Sequence, residues 1–194
     1  MSALKSVCVY CGASNNVSDV YKNAGQQLGQ KLAEHKSRLI YGGGSVGIMG
    51  IVADAVMDSG GEVTGIIPKF LDDYEVGHQH LTELIITENM HERKNLMAEK
   101  AESFVVLPGG LGTLEEFFEM VTWKQLGLHD KPIVIFNVNG FWDALVTLID
   151  HQISEKFARE ENRSLFTVAT TVDEIIEQLE TAPTPSGEVA SKWT

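Results

Sequence analysis

Cysteine is almost missing from this 194-residue chain: the two present, Cys8 and Cys11, cannot make a disulfide framework. None is needed, because a chain of this length can bury roughly 70% of its unfolded surface in one core. Basic residues are scarce as well, with 15 Lys+Arg against 27 Asp+Glu and a formal charge of −12. That deficit argues against bulk affinity for nucleic acid or for an anionic membrane, both of which need a cationic footprint. An anion bound here must therefore be held by local groups. No run approaches the roughly 18 to 20 apolar residues that span a bilayer, and Met1 to Leu4 lacks the regions of a secretory signal. A soluble protein in a reducing, cytoplasmic setting is expected.

What the chain does have is alternation. β-rich runs bounded by glycine, such as Val7-Cys8-Val9-Tyr10, Arg38-Leu39-Ile40-Tyr41 and Ser103-Phe104-Val105-Val106-Leu107, are separated by longer helical patterns. This βαβα order predicts an α/β fold around a mainly parallel sheet of about seven strands, as one domain over residues 1–181. The stretch from Ile67 to Leu81 reads as the one long irregular connection. Beyond it, Ala182-Pro183-Thr184-Pro185-Ser186-Gly187 opens a Pro/Ser/Gly segment, and residues 182–194 are expected to form a flexible tail.

Two glycine-rich turns stand between strand and helix patterns. Gly42-Gly43-Gly44-Ser45-Val46-Gly47 satisfies G-x-G-x-x-G but follows the second strand, whereas a dinucleotide site wants it after the first. Glu62 lies at a suitable distance for a ribose contact, yet it opens its strand. Glycines serving only close helix–sheet packing remain the alternative. Pro108-Gly109-Gly110-Leu111-Gly112-Thr113-Leu114-Glu115-Glu116 carries more information. Backbone N–H groups in such a turn converge on an anion, and the helix start adds about half a positive charge. A phosphate fits, but the lysine of a P-loop is missing, which disfavours ATP hydrolysis. Thr113 and Glu116 also have the T-x-x-E spacing of a capping box.

Between the turns, Met90, Arg93, Lys94 and Met97 recur at i, i+3, i+4, i+7 and so share one helical face. An arginine on an inward, methionine-flanked stripe requires an anionic partner. Because loops at the C-terminal ends of parallel strands share one edge, that partner is expected to be Glu116 or a ligand phosphate. Other candidates are weaker. Cys8 of the C-x-x-C lies within a strand, so both thiols are expected to be buried small residues. His78 and His80 have no accompanying cluster of metal-ligand spacing and read as solvated loop residues.

Taken together, Cys11-Gly12-Ala13-Ser14, Tyr41 to Gly50, Met90-His91-Glu92-Arg93-Lys94, Pro108 to Glu116 and Thr122 to Gly127 resemble the Lonely Guy family, cytokinin riboside 5′-monophosphate phosphoribohydrolases formerly labelled "lysine decarboxylase-like". The resemblance runs from about Val7 to Leu179. It implies a Rossmann-like three-layer sandwich and hydrolysis of the N-glycosidic bond of a purine nucleoside 5′-monophosphate, with no metal and no organic cofactor. By matching positions it makes Arg93 and Glu116 the catalytic pair and Gly110, Leu111, Gly112, Thr113, Leu114 and Glu115 the loop that holds the nucleotide. Glu75, Met90, Lys94 and Thr122 are implied as further substrate contacts, with Ser14 and Gly43 lining the same pocket. Ala13 departs from the serine frequent in that family.

The chemistry implied is consistent with the residues. Cleaving a ribosyl C–N bond builds oxocarbenium character that a carboxylate stabilises, and a remote phosphate supplies the binding energy that positions the sugar. Arg93 is expected to orient Glu116 and keep it ionised. A carrier of nucleotide-like ligands on the same fold, or a general AMP nucleosidase, are the alternatives; no lysine stands out as a Schiff-base site for pyridoxal phosphate. Apolar residues on two sides of the helix after Thr113, with Leu114, Phe117, Phe118 and Val121 on one side and Met120 and Trp123 elsewhere, predict a homodimer.

Overall fold

Ser6–Tyr10 (β1) carries no polar/apolar alternation, and it is buried on both faces along its whole length. A strand of that kind belongs in the middle of a parallel sheet. The computed structural model, which describes residues 4–75 and 77–182 apart from the side chains of 73–75, places it there. Seven strands run in the order β4-β3-β2-β1-β5-β6-β7. They are β1, β2 (Arg38–Tyr41), β3 (Val63–Pro68), β4 (Glu83–Thr87), β5 (Ser103–Val106), β6 (Ile133–Phe136) and β7 (Thr167–Ala169). Every pairing is parallel.

Side chains of alternating parity separate the core into two halves. Val7, Val9, Leu39, Tyr41, Val105 and Val134 face one way, where they meet α1 (Asp19–Glu34), α2 (Gly47–Asp58) and α7 (Val172–Thr181). Cys8, Tyr10, Ile40, Phe104, Val106 and Ile135 face the other, beneath α4 (Met90–Lys100), α5 (Leu111–Gln125) and α6 (Asp143–Ser154). The result is the three-layer sandwich that the resemblance implies, built on the parallel sheet that the alternation predicts. Cys8 and Cys11 are both free and buried, and burial pushes both thiols above their ordinary range.

Two local features differ from the sequence reading. The stretch between Ile67 and Leu81 is not wholly irregular, since Lys69–Glu75 forms a short helix, α3, directly after β3. The helix after the second glycine turn begins at Leu111 rather than near Leu114. Ala182 follows the last helix, and residues 183–194, read as most of the tail, lie outside the described residues. No helix among the described residues is long and apolar enough to cross a membrane.

The strand order fixes where a ligand can go. From β1 the chain steps outward through β2, β3 and β4, then returns to the other side of β1 and continues through β5, β6 and β7. The loops after β1 and β5 therefore leave in opposite directions, which opens a crevice at the C-terminal ends of these two strands. The two loops are tied at its floor, where Gly12 N–H donates to Pro108 O at 3.1 Å.

On the opposite side of the layer, α1 and α2 touch almost backbone to backbone. A Cβ added to Gly29 would lie 2.6 Å from the Val52 carbonyl oxygen and 2.7 Å from the Ala55 Cβ. Gly29→Ala should gain about 1 kcal/mol of helix propensity and still lower the urea midpoint, with a net loss of about 1 to 3 kcal/mol from overpacking. An unchanged or raised midpoint would show that the two helices part freely.

Candidate functional site

Helix α4 is started by Asn89, whose side chain accepts from Glu92 N–H at 3.0 Å. That start aims Arg93 at the sheet, where it is only 7% exposed. Its Nε donates to the Ile66 carbonyl at 3.1 Å, Nη2 to the Gly42 carbonyl at 3.3 Å, and Nη1 to Met90 Sδ at 3.7 Å. Gly42 has to be glycine for this, since a Cβ there would fall 2.0 Å from Nη2. The first glycine turn thus makes room for a guanidinium. The anionic partner that a buried arginine demands is Glu116, with Oε1 3.9 Å from Nη2.

Glu116 comes from α5, whose first residues are held unusually. Gly110 occupies the N-cap position and makes no side-chain cap bond. Thr113 is buried beneath Gly109, where any Cβ would overlap its Oγ1 at 2.0 Å. The capping box expected for Thr113 and Glu116 does not form, because the helix starts earlier and puts Thr113 in its first turn and Glu116 in its second. The first bond of the helical ladder runs from Leu114 N–H to Gly110 O, so the N–H groups of Leu111, Gly112 and Thr113 precede the ladder. They supply the bare helix start that an anion favours.

These elements enclose a cleft of about 240 Å³, lined by Cys11, Gly12 and Ala13 after β1, Met49 on α2, Met90 and Arg93 on α4, and Gly110, Gly112, Thr113, Glu115 and Glu116 on α5. A larger hollow of about 530 Å³ opens beside Ile133 and Thr167, at the starts of β6 and β7. It lies at the wrong end of the strands for the crevice rule, and the arginine–carboxylate pair is elsewhere.

The remaining predicted site residues are dispersed. Lys94 is buried and its Nζ donates to Glu115 and, at 2.9 Å, to Glu119. Burial lowers its affinity for a proton, but the two carboxylates outweigh that and hold it above the usual lysine range. Leu111 is exposed at the start of α5, and Leu114 packs on the α4–α6 side of the core. Thr122 is exposed farther along α5. Ser14 and Gly43 are outside the cleft lining, with Ser14 Oγ accepting from Asn16 N–H and the Gly43 carbonyl accepting from His78 N–H. The Glu75 side chain lies outside the described residues.

Sequence reasoning missed Met49 and Glu119, and it misread His78. That histidine is buried, not solvated, and pairs with Asp54 of α2 at 2.8 Å. Only Glu119 carried a signal, standing four residues after Glu115 on the face that meets Lys94. Among the described residues, no three His, Cys, Asp or Glu side chains form a metal-ligating cluster.

The protonation of Glu116 also departs from expectation. Burial pushes its carboxyl up to about 7, and Arg93 offsets this only in part while Glu115 adds to it. The arginine does not win because its guanidinium is shared with two backbone carbonyls and stands 3.9 Å away.

Comparison with known proteins agrees with this geometry. A family model described as "Possible lysine decarboxylase" matches residues 49–179. The chain is 42% identical over 194 residues to the cytokinin riboside 5′-monophosphate phosphoribohydrolase LOG5 of Arabidopsis thaliana, covering 99% of this chain and 85% of that one. It is 43% identical over 192 residues to the phosphoribohydrolase LOG of Oryza sativa subsp. japonica, covering 99% and 79%. The chain belongs to the Lonely Guy family. Among solved structures, the Lonely Guy chain superposes on the molybdenum cofactor carrier protein of Chlamydomonas reinhardtii with a TM-score of 0.71 at 20% identity, over 92% of this chain and 97% of the other. That likeness shows a shared fold.

A raised carboxyl pKa has a cost that pH exposes. Folding favours protonated Glu116, so the stability it contributes is complete below about 4.5 and is lost as pH rises through about 7. In this Lonely Guy protein, Glu116→Gln should therefore be more stable than wild type at pH 8, by on the order of 1 to 3 kcal/mol, and no more stable at pH 4. Urea titrations at the two pH values measure this; equal stability at pH 8 would mean that Glu116 is well solvated.

Proposed function

We propose that this chain hydrolyses the N-glycosidic bond of purine nucleoside 5′-monophosphates of the cytokinin type, releasing the free base and ribose 5-phosphate. One observation carries the reading: a buried arginine–glutamate pair stands one to two helical turns from a bare helix start in the same cleft. The 5′-phosphate is held by the N–H groups of Leu111, Gly112 and Thr113, in the turn bounded by Gly110 and Leu114. The ribose then lies against Glu116. As the C1′–N bond breaks, its electron pair leaves with the base, and ionised Glu116 stabilises the cation at C1′. Water adds to C1′, its proton passes to the carboxylate and from there to the departing base, so that the base leaves neutral and Glu116 is ionised again. Arg93 fixes Glu116 and the sugar hydroxyls, and Met90 borders the base.

Lys94 serves the site through Glu115 and Glu119, which it anchors to α4. Ser14, Gly43, Glu75 and Thr122 remain substrate contacts on this reading, supported by family membership. The protein acts as a homodimer. The support is α5, whose Thr113, Phe117 and Met120 are buried while Leu114, Phe118, Val121 and Trp123 are only partly covered. The face that meets the sheet is thus Phe117 and Met120, not the whole stripe read from the sequence. Light scattering at micromolar concentration should give twice the chain mass.

Three kinetic outcomes test the activity. AMP and N6-isopentenyladenosine monophosphate should release base while the matching nucleosides do not; comparable kcat/KM for adenosine and AMP would remove the phosphate from the mechanism. Glu116→Gln should lose about 10²-fold or more in turnover and still bind nucleotide. Because the ionised carboxylate is the working form, kcat/KM should rise about tenfold per pH unit up to about 7 and then level off. A flat profile between pH 5 and 8 would transfer the carboxylate's role to another group.

A further inference from the structure

The Gly42 carbonyl that orients Arg93 belongs to a turn with little stiffness of its own, since three glycines follow one another and Gly43 sits at φ +77°. Its far end is held by Asn15, whose Oδ1 accepts from Gly47 N–H at 2.9 Å, and its glycines are pinned by the segment after α3. His78 N–H donates to the Gly43 carbonyl at 3.1 Å, and Gly44 forms an antiparallel bridge with Gly77. The segment is in turn held from both sides. Gly77 N–H donates to Asp72 Oδ1 at 3.0 Å, and the His78 ring reaches α2, where Nε2 is 2.8 Å from Asp54 Oδ1. Nδ1 accepts from His80 N–H, so the proton sits on Nε2 and both ring nitrogens are engaged.

We infer that His78 is a positioning residue for Arg93: by tying the glycine turn to α2 through Asp54, it fixes the Gly42 carbonyl and with it the guanidinium that faces Glu116. This rests on the reading of Arg93 and Glu116 as the pair that works on substrate. The path is short, running from Asp54 to the His78 ring, from the His78 backbone to Gly43, and from the neighbouring Gly42 carbonyl to Arg93 Nη2. The phosphate-holding start of α5 lies outside it. Loss of the tether should therefore lower kcat more than it raises KM.

The test uses Asp54→Ala, His78→Ala and His78→Gln, the last because its amide N–H can still donate to Asp54. Asp54 is 62% exposed at its side chain, so its alanine variant keeps the test open if His78→Ala folds poorly. Asp54→Ala and His78→Ala should lower kcat for AMP and N6-isopentenyladenosine monophosphate by about tenfold with KM within about twofold, and His78→Gln should recover most of the loss. In an Arg93→Ala background neither alanine variant should cost anything more. The Arg93 Nε–H resonance in ¹⁵N spectra should shift or broaden in both alanine variants and return in His78→Gln. Wild-type kcat in Asp54→Ala, losses that multiply with that of Arg93→Ala, or an unmoved Arg93 resonance would overturn the inference. Failure of wild type to cleave either nucleotide would count against the proposed activity instead, and the resonance would still decide the role of His78.

Discussion

Burying an arginine commits a structure to supplying partners for its donors, and in this fold the commitment is met from three directions. The Ile66 carbonyl at the end of β3, the Gly42 carbonyl after β2 and the Glu116 carboxylate on α5 all converge on Arg93. Each comes from a different element, so the pair can form only when both halves of the sheet are assembled. An unpaired charge at that depth would be strongly destabilising, which gives the crevice a strong preference for one arrangement. Gly42 and Gly109 serve that arrangement by leaving space, one for the guanidinium and one for Thr113.

Carboxylate and arginine do not form a tight salt bridge, and that looseness matters chemically. A close bidentate pair would satisfy both groups and leave Glu116 a weak base. Distance and desolvation instead leave its proton affinity near neutrality, where a group can take a proton from water and return it. The same desolvation lets the carboxylate act strongly on a developing positive charge. Family membership says which chemistry this supports, whereas the likeness to the carrier protein shows the fold alone.

Much of this was legible in the sequence where the signal is local. The βαβα alternation predicted the parallel sheet, and the i, i+3, i+4, i+7 spacing from Met90 to Met97 put Arg93 and Lys94 on an inward face. The start of α5 was not legible, because Gly110 and Gly112 are poor helix formers and the T-x-x-E spacing imitates a later cap. The start at Leu111 goes with a close approach of Gly109 to Thr113 that is invisible in one dimension. His78 escaped for a similar reason, its partner Asp54 lying 24 residues away on another element. Short α3 was hidden in a segment whose turn residues resemble those of a loop.

Because the bare N–H groups at the start of α5 and Glu116 belong to a single helix, the site has a built-in ruler. Glu116 stands four residues on from Gly112, about 6 Å of axial rise, and a continuous α-helix does not stretch. That span is on the scale of a ribose and its 5′ carbon. Whatever the surrounding loops do, the gap between the bare helix start and the Glu116 carboxylate stays the same. On the proposed reading, a ligand with its anionic group one atom too near or too far meets the carboxylate out of register however tightly it is held. Selection by length is thus a property of the backbone, and side-chain changes around the base would retune which ring is accepted without touching it.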